Sequence, residues 1–124
     1  MNAAFTRSAR LTQRIEFDRV FSAPQQRSSD RYFTVLGRFR EKGEESRLGM
    51  VVAKKKIART HERNRIKRLI RESFRLEAKN QLSMDIVVLP RNGDVQLVDN
   101  AELFRSLSKH WKRLQREAYL YRSN

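Results

Sequence analysis

Residues 59–79 constrain the fold of this chain more than any other stretch, because their apolar positions follow a single periodicity. These positions recur every three or four residues, which is the spacing of one face of an α-helix. Thr60 can cap the N-terminus of this helix, and Glu62 in the first turn suits the positive end of the helix dipole. The residues predicted to face the core are Ile66, Leu69, Ile70, Ser73 and Phe74.

The opposite side of this predicted helix is basic and rich in arginine. At about 100° per residue, the side chains that point away from the apolar face are His61, Asn64, Arg68, Arg71 and Arg75, flanked by Arg65 and Lys67. Glu72 is the only carboxylate near them, so most of this charge has no partner on its own helix. A solvated face normally mixes both signs of charge, whereas planar guanidinium groups of one sign suit phosphate. We therefore predict that this face binds a polyanion.

The overall charge of the chain favours nucleic acid as that polyanion. The 124 residues suit one domain with a modest core, and 28 Lys and Arg outnumber 14 Asp and Glu, giving a net charge of +14. No apolar run approaches the roughly 20 residues of a membrane span, so a membrane is not the predicted partner. The absence of cysteine excludes a disulfide-linked partner and Cys-based catalysis or zinc binding, and it agrees with a cytoplasmic location.

The remaining sequence predicts a single RNA-binding domain. We place it at residues 10–119, after a flexible basic arm at residues 1–9 and before a C-terminus that frays over residues 120–124. Apolar residues at helical spacing predict a short first helix near residues 11–21, with Thr12 as its N-cap.

Three stretches rich in β-forming residues predict a sheet, at residues 32–39, 48–53 and 84–90. Residues 22–30 are polar and contain Pro24, so they form a loop or at best a short edge strand. The stretch at residues 84–90 is nearly continuous in apolar residues, as in a strand buried on both faces. The order strand, helix, strand predicts that residues 48–53 and 84–90 pair in parallel.

A last helix is predicted to begin at Asp99, which together with Glu102 resembles a capping box. Its core stripe comprises Leu103, Phe104, Leu107, Trp111, Leu114 and Ala118. A second basic face lies opposite that stripe and comprises Arg105, Lys109, Lys112, Arg113 and Arg116.

Few residues offer catalytic chemistry. The chain has two histidines: His61 lies among arginines and His110 flanks the last core stripe, and we interpret each as a phosphate contact or surface group. The carboxylates are scattered and no metal-ligand or phosphate-loop motif occurs, so we predict no catalytic residue and no metal ligand. Aromatic residues interleaved with basic ones suit stacking on unpaired bases, which favours RNA over DNA.

The run RNRIKRLIR at residues 63–71 resembles the "RNR" motif of the bacterial ribonuclease P protein subunit. RLGMVVAKK at residues 47–55 is similar to the strand and lysine pair of that family, and EFDRVF at residues 16–21 is similar to its first helix. With residues 85–88 and the basic last helix, the resemblance covers roughly residues 10–116.

The resemblance implies an α+β fold, an α/β sandwich in which three helices pack on a mixed four-stranded sheet. It implies likeness to the second domain of ribosomal protein S5 and a left-handed βαβ crossover, against the usual right-handed rule. It also implies a role in removing the 5′ leader of precursor tRNA, with the catalytic centre and Mg²⁺ in the catalytic RNA subunit.

Site residues follow from the resemblance as well. Residues expected to bind the catalytic RNA are Lys54, Lys55, Lys56, Arg63, Asn64, Arg65, Lys67, Arg68 and Arg71. Residues expected to bind the leader are Phe17 and Phe21 of the first helix, with Phe33 or Tyr32 of the sheet. Leu36 stands where the family has its second sheet aromatic. Two alternatives stay open, a basic ribosomal protein of similar fold and a nuclease that acts without RNA.

Overall fold

Three α-helices and four strands make up the part of the chain that the computed structural model describes, residues 9–122. In chain order they are α1 (Arg14–Ser22), β1 (Gln26–Ser29), β2 (Phe33–Phe39), β3 (Arg47–Met50), α2 (Thr60–Glu77), β4 (Met84–Pro90) and α3 (Asn100–Arg122). A 3₁₀ turn at Gly93–Leu97 connects β4 to α3. The predicted α+β class is confirmed, and residues 22–30 contain the short edge strand that the sequence allowed.

The four strands form one mixed sheet in the order β1-β2-β4-β3. β4 pairs in parallel with β3, as predicted, and antiparallel with β2. β3 follows β2 in the chain but does not pair with it, because β4 lies between them. The central position of β4 agrees with its nearly continuous apolar sequence. The strand is buried at every residue except the half-buried Leu89.

α2 and α3 pack against one face of the sheet and enclose the larger core. The five residues predicted to form the apolar face of α2 are its five buried residues. Phe74 of α2 meets Trp111 of α3 edge to face with ring centroids 6.2 Å apart. Trp111 Nε1 donates to Ser73 Oγ at 2.7 Å, so the indole N–H is satisfied inside the core.

α1 packs on the opposite face of the sheet over a smaller cluster of Leu11, Val20, Leu36 and Val87, with Phe17 and Leu89 at its border. Arg47 holds α1 to the sheet. Its guanidinium makes two 2.7 Å bonds to the Asp85 carboxylate of β4 and a third 2.7 Å bond to Glu16 Oε2 of α1. Bidentate pairing of this kind fixes orientation as well as charge.

Two predicted helix caps are wrong by one residue. Gln13 caps α1 in a capping box with Glu16, instead of Thr12. Arg59 occupies the N-cap of α2 without a side-chain cap bond, and Thr60 is already helical. Asp99 is confirmed at the start of α3, where its Oδ1 accepts from the Glu102 backbone N–H at 2.9 Å.

The ends of the predicted domain differ from expectation where the structure describes them. Residues 1–8 of the expected arm lie outside the described residues, but Ala9 is fully buried in the larger core. α3 does not fray at residue 120, since Arg122 donates to the carbonyl oxygens of Arg40, Leu82 and Ser83 at 3.0–3.1 Å. Residues 123 and 124 are outside the described part. No helix among the described residues is long and apolar enough to span a bilayer.

Candidate nucleic-acid interface

The arginines of α2 fall into two groups, and the first group serves the fold. Arg63 donates to the carbonyl oxygens of residues 57 and 58 at 2.9 and 2.7 Å. Arg65 donates to Val98 O at 2.6 Å and to Asn100 Oδ1 at 2.9 Å, which holds the start of α3 against α2. Both were predicted to bind RNA, but their guanidinium groups have partners within the protein. Arg63 bonds to the residues just before α2, and Arg65 bonds to a segment that lies far along the chain.

The second group has no such partners. Among residues 9–122, Lys67, Arg68 and Arg71 form neither an ion pair nor a side-chain hydrogen bond. Arg68 is exposed, and Lys67 and Arg71 are half-buried. Arg75, by contrast, pairs with Glu72, and its hydrogen bond lowers the pKa of that carboxyl group. The unpaired positive charge of α2 is therefore concentrated at these three positions.

The lysines just before α2 add exposed positive charge. Residues 54–56 form an exposed turn between β3 and α2. Lys56 donates from Nζ to Pro90 O at 3.1 Å, which ties the turn to the end of β4. Within the described chain, Lys54 and Lys55 have no side-chain partner. Asn64 is exposed on the same side of α2 as Arg68.

A cleft of about 420 Å³ opens where α1, β3 and α2 meet. Phe17 forms one wall and lies so close to Gly49 that a Cβ there would sit 2.5 Å from its Cε1. The side chains that line the cleft are Arg10, Leu11, Phe17, Leu48, Met50, Lys67 and Arg71. An aromatic ring beside two cations without protein partners can stack on a base and neutralise the adjoining phosphates. The sequence separated these residues into two sites, whereas the structure brings them together.

The other predicted leader contacts differ in how accessible they are to a ligand. Phe21 is 42% exposed at the end of α1 and is free to meet a ligand. Phe33 is 0% exposed in the larger core, so its prediction as a leader contact is wrong. Tyr32 packs against that same core, away from the cleft, and partial burial with a hydrogen bond to Glu102 raises the pKa of its phenol. The Leu36 side chain points to the face of the sheet opposite to that of Phe33. It packs in the smaller cluster, which Phe17 borders.

His110 is not a surface group, contrary to prediction. It is 1% exposed, and its Nδ1 lies 2.6 Å from Ser28 Oγ while its Nε2 lies 3.1 Å from Asp30 Oδ2. Burial lowers the pKa of His110, and the Asp30 carboxylate opposes this effect. His61, with 72% of its side chain exposed, lies at the start of α2. The two histidines therefore do not converge on one site.

The sequence model of the family described as Ribonuclease P matches residues 5–115 of this chain. The chain belongs to the ribonuclease P protein family. This membership decides against the ribosomal-protein alternative. The ribonuclease P protein component of Yersinia enterocolitica is 49% identical over 115 residues, covering 93% of this chain and 94% of that protein. The ribonuclease P protein component of Acinetobacter baylyi is 42% identical over 118 residues, covering 95% of this chain and 88% of that protein.

Solved structures of ribonuclease P proteins share the fold. The Staphylococcus aureus protein superposes with a TM-score of 0.74 at 27% identity, covering 86% of this chain and 94% of that one. The Thermotoga maritima protein gives a TM-score of 0.70 at 33% identity, covering 84% and 96%. The four-stranded sheet and the three helices are therefore those of the ribonuclease P family, as the RNR run predicted.

Proposed function

We propose that this chain is the protein subunit of ribonuclease P, which binds a catalytic RNA and the 5′ leader of precursor tRNA while the RNA removes that leader. Family membership supports the assignment to ribonuclease P. The observation that carries the leader-binding role is the cleft in which Phe17 faces Lys67 and Arg71. We propose that the protein acts in the cytoplasm, where bacterial tRNA precursors are made.

In this proposal the two basic regions have different tasks. The exposed residues Lys54, Lys55, Asn64 and Arg68 bind phosphates of the catalytic RNA. Lys67 and Arg71 lie inside the cleft and neutralise leader phosphates, while the ring of Phe17 stacks on an unpaired base. Single-stranded RNA suits this cleft because its bases are unpaired, so they can turn outward and stack on an aromatic ring.

We assign the chemistry of cleavage to the RNA subunit and to Mg²⁺ bound there. His110 is enclosed by Ser28 and Asp30, and His61 is exposed on a different element, so the two cannot act as a general acid and base on one phosphodiester. Among the described residues, no three His, Asp or Glu side chains are grouped as ligands for a metal ion. We propose that the protein contributes binding and orientation.

The test compares cleavage of precursor tRNA by the protein alone, by the RNA subunit alone and by both together, over a range of Mg²⁺ concentrations. We expect no cleavage by the protein alone, and a lower Mg²⁺ requirement for the mixture than for the RNA alone. Protein-only cleavage that survives rigorous removal of contaminating nucleases would favour the RNA-independent nuclease and overturn the proposal.

A further inference from the structure

The outer face of α3 carries a row of cations that the proposed function does not use. Arg105, Lys109, Lys112 and Arg116 follow one another at intervals of four, three and four residues, so they form a single line along the helix. At 1.5 Å per residue this line is about 16 Å long. All four are exposed. With Arg113 they form what we call the α3 basic stripe.

The α3 basic stripe is not neutralised within the protein. Lys109, Lys112, Arg113 and Arg116 line a shallow groove of about 340 Å³. In the described part of the chain, none of the five cations of the stripe has a carboxylate within ion-pair distance. Elsewhere the acids are used by other cations, as in the pairs Arg47–Asp85 and Arg40–Glu44. Like charges so close together repel each other until a polyanion binds.

A buried network holds one member of the stripe in place. Arg113 Nη1 donates to Ser28 Oγ at 2.7 Å, and this hydroxyl also lies 2.6 Å from His110 Nδ1. A hydroxyl can accept from Arg113 and donate its own proton to a neutral imidazole at the same time. Asp30 faces the far side of that ring, 3.1 Å from Nε2. Arg113 is thus fixed at the edge of the groove before any ligand arrives, which lowers the entropy lost on binding.

We propose that the α3 basic stripe is a second RNA-binding surface, occupied by a double-helical segment of the catalytic RNA subunit. The stripe consists of cations without an aromatic side chain, which suits a phosphate backbone whose bases are paired and hidden. α2 and α3 lie side by side on one face of the sheet, with their buried residues toward the core and their cations on the other side. Packed helices are about 8–10 Å apart, so RNA bound to α2 can reach α3.

This inference rests on the proposed function, and the experiment separates the two. The test variant is Lys112→Ala/Arg116→Ala, and the matched control is Arg27→Ala/Lys42→Ala, which removes the same charge from exposed positions outside both basic surfaces. Alanine favours helix, and neither test position is buried, so α3 stays folded; equal melting temperatures check this. A third variant, Arg68→Ala, probes α2. Each full-length protein is titrated with the RNA subunit alone at several salt concentrations.

We expect the α3 variant to bind the RNA subunit about tenfold more weakly. Its affinity should also depend less steeply on salt concentration, by the amount that corresponds to the loss of about two phosphate contacts. The control should keep the affinity and slope of the unaltered protein. Holoenzyme assembled at saturating concentration should bind precursor tRNA equally well with either variant. The inference is overturned if the α3 variant matches the control, or if only precursor tRNA binding weakens. If Arg68→Ala also has no effect, the proposed role of α2 fails as well.

Discussion

The Phe17 ring both packs inside the protein and faces the cleft. One side packs on Gly49 and the smaller core cluster, and the other faces the cleft. We predict that Phe17→Leu keeps most of the packing and changes stability by less than about 1.5 kcal/mol. The same change removes base stacking and should cost about 1–3 kcal/mol of affinity for a leader of several nucleotides. Holoenzyme binding to precursors with a long leader and with a one-nucleotide leader measures the difference.

Phe33→Leu is the matched control for this prediction, because Phe33 is buried on the other face of the sheet. It should lower the melting temperature while leaving the preference for a long leader unchanged. If Phe17→Leu weakens both precursors equally, Phe17 is a packing residue and the leader lies elsewhere.

Arg65 and Arg68 are three residues apart, yet the structure predicts different consequences for their loss. Arg65→Ala removes bonds to Val98 O and Asn100 Oδ1 and should lower the free energy of unfolding by about 1–3 kcal/mol. Arg68→Ala removes an exposed side chain and should change stability by no more than about 0.5 kcal/mol. It should instead weaken RNA-subunit binding by about 1–3 kcal/mol. Denaturant unfolding and RNA titration of both variants are the measurements, and the reverse pattern would contradict the assignment.

At the scale of elements, β1 and α3 are joined through a titratable group. His110 is enclosed between Ser28 and Asp30, and burial lowers its pKa. In the unfolded chain the imidazole has a pKa of about 6.5. Below that pH the unfolded state therefore binds a proton that the folded state does not bind. The free energy of unfolding should therefore decrease as pH falls from 7.5 through 6.5 toward the lower folded pKa.

Urea unfolding at several pH values between about 7.5 and 5.5 checks this prediction, since the carboxyl groups titrate mostly below that window. His110→Gln should flatten the decrease, although it lowers stability at every pH by disturbing the network. His61→Gln removes the exposed histidine and should retain the decrease. The prediction is contradicted if the decrease in the free energy of unfolding persists in His110→Gln and disappears in His61→Gln. The contact of His110 with Ser28 and Asp30 would then not be the origin of the pH dependence.

At the scale of the whole molecule, a net charge of +14 acts on folding and on binding in opposite directions. Salt screens repulsion among the unpaired cations, so raising NaCl from about 0.05 to 0.3 M should stabilise the free protein by on the order of 1 kcal/mol. Over the same range, RNA affinity should fall steeply, because each phosphate contact releases counterions. Thermal unfolding without RNA and titration with the RNA subunit measure the two effects. A melting temperature that falls with salt would mean that internal ion pairs outweigh the repulsion.

The sequence by itself determined the elements whose signals are local. The spacing from Ile66 to Phe74 identified the buried face of α2, and the nearly continuous apolar run of β4 identified a strand covered on both faces. Asp99 marked the start of α3 through a bond that spans three residues. The RNR run indicated the family. Each of these features depends on neighbours along the chain, so the sequence contains all the information needed to predict it.

Tertiary structure alone decided what each side chain meets. The sequence showed that Arg65 is basic and Phe33 aromatic, but Val98 gives Arg65 an internal partner and the packing of α2 and α3 encloses Phe33. The insertion of β4 between β2 and β3 likewise depends on contacts between segments far apart in the chain. Phe17, Lys67 and Arg71 come from two helices on different sides of the sheet and meet only at its β3 edge. Periodicity sets the apolar side of an element, whereas long-range packing chooses the partner that covers it.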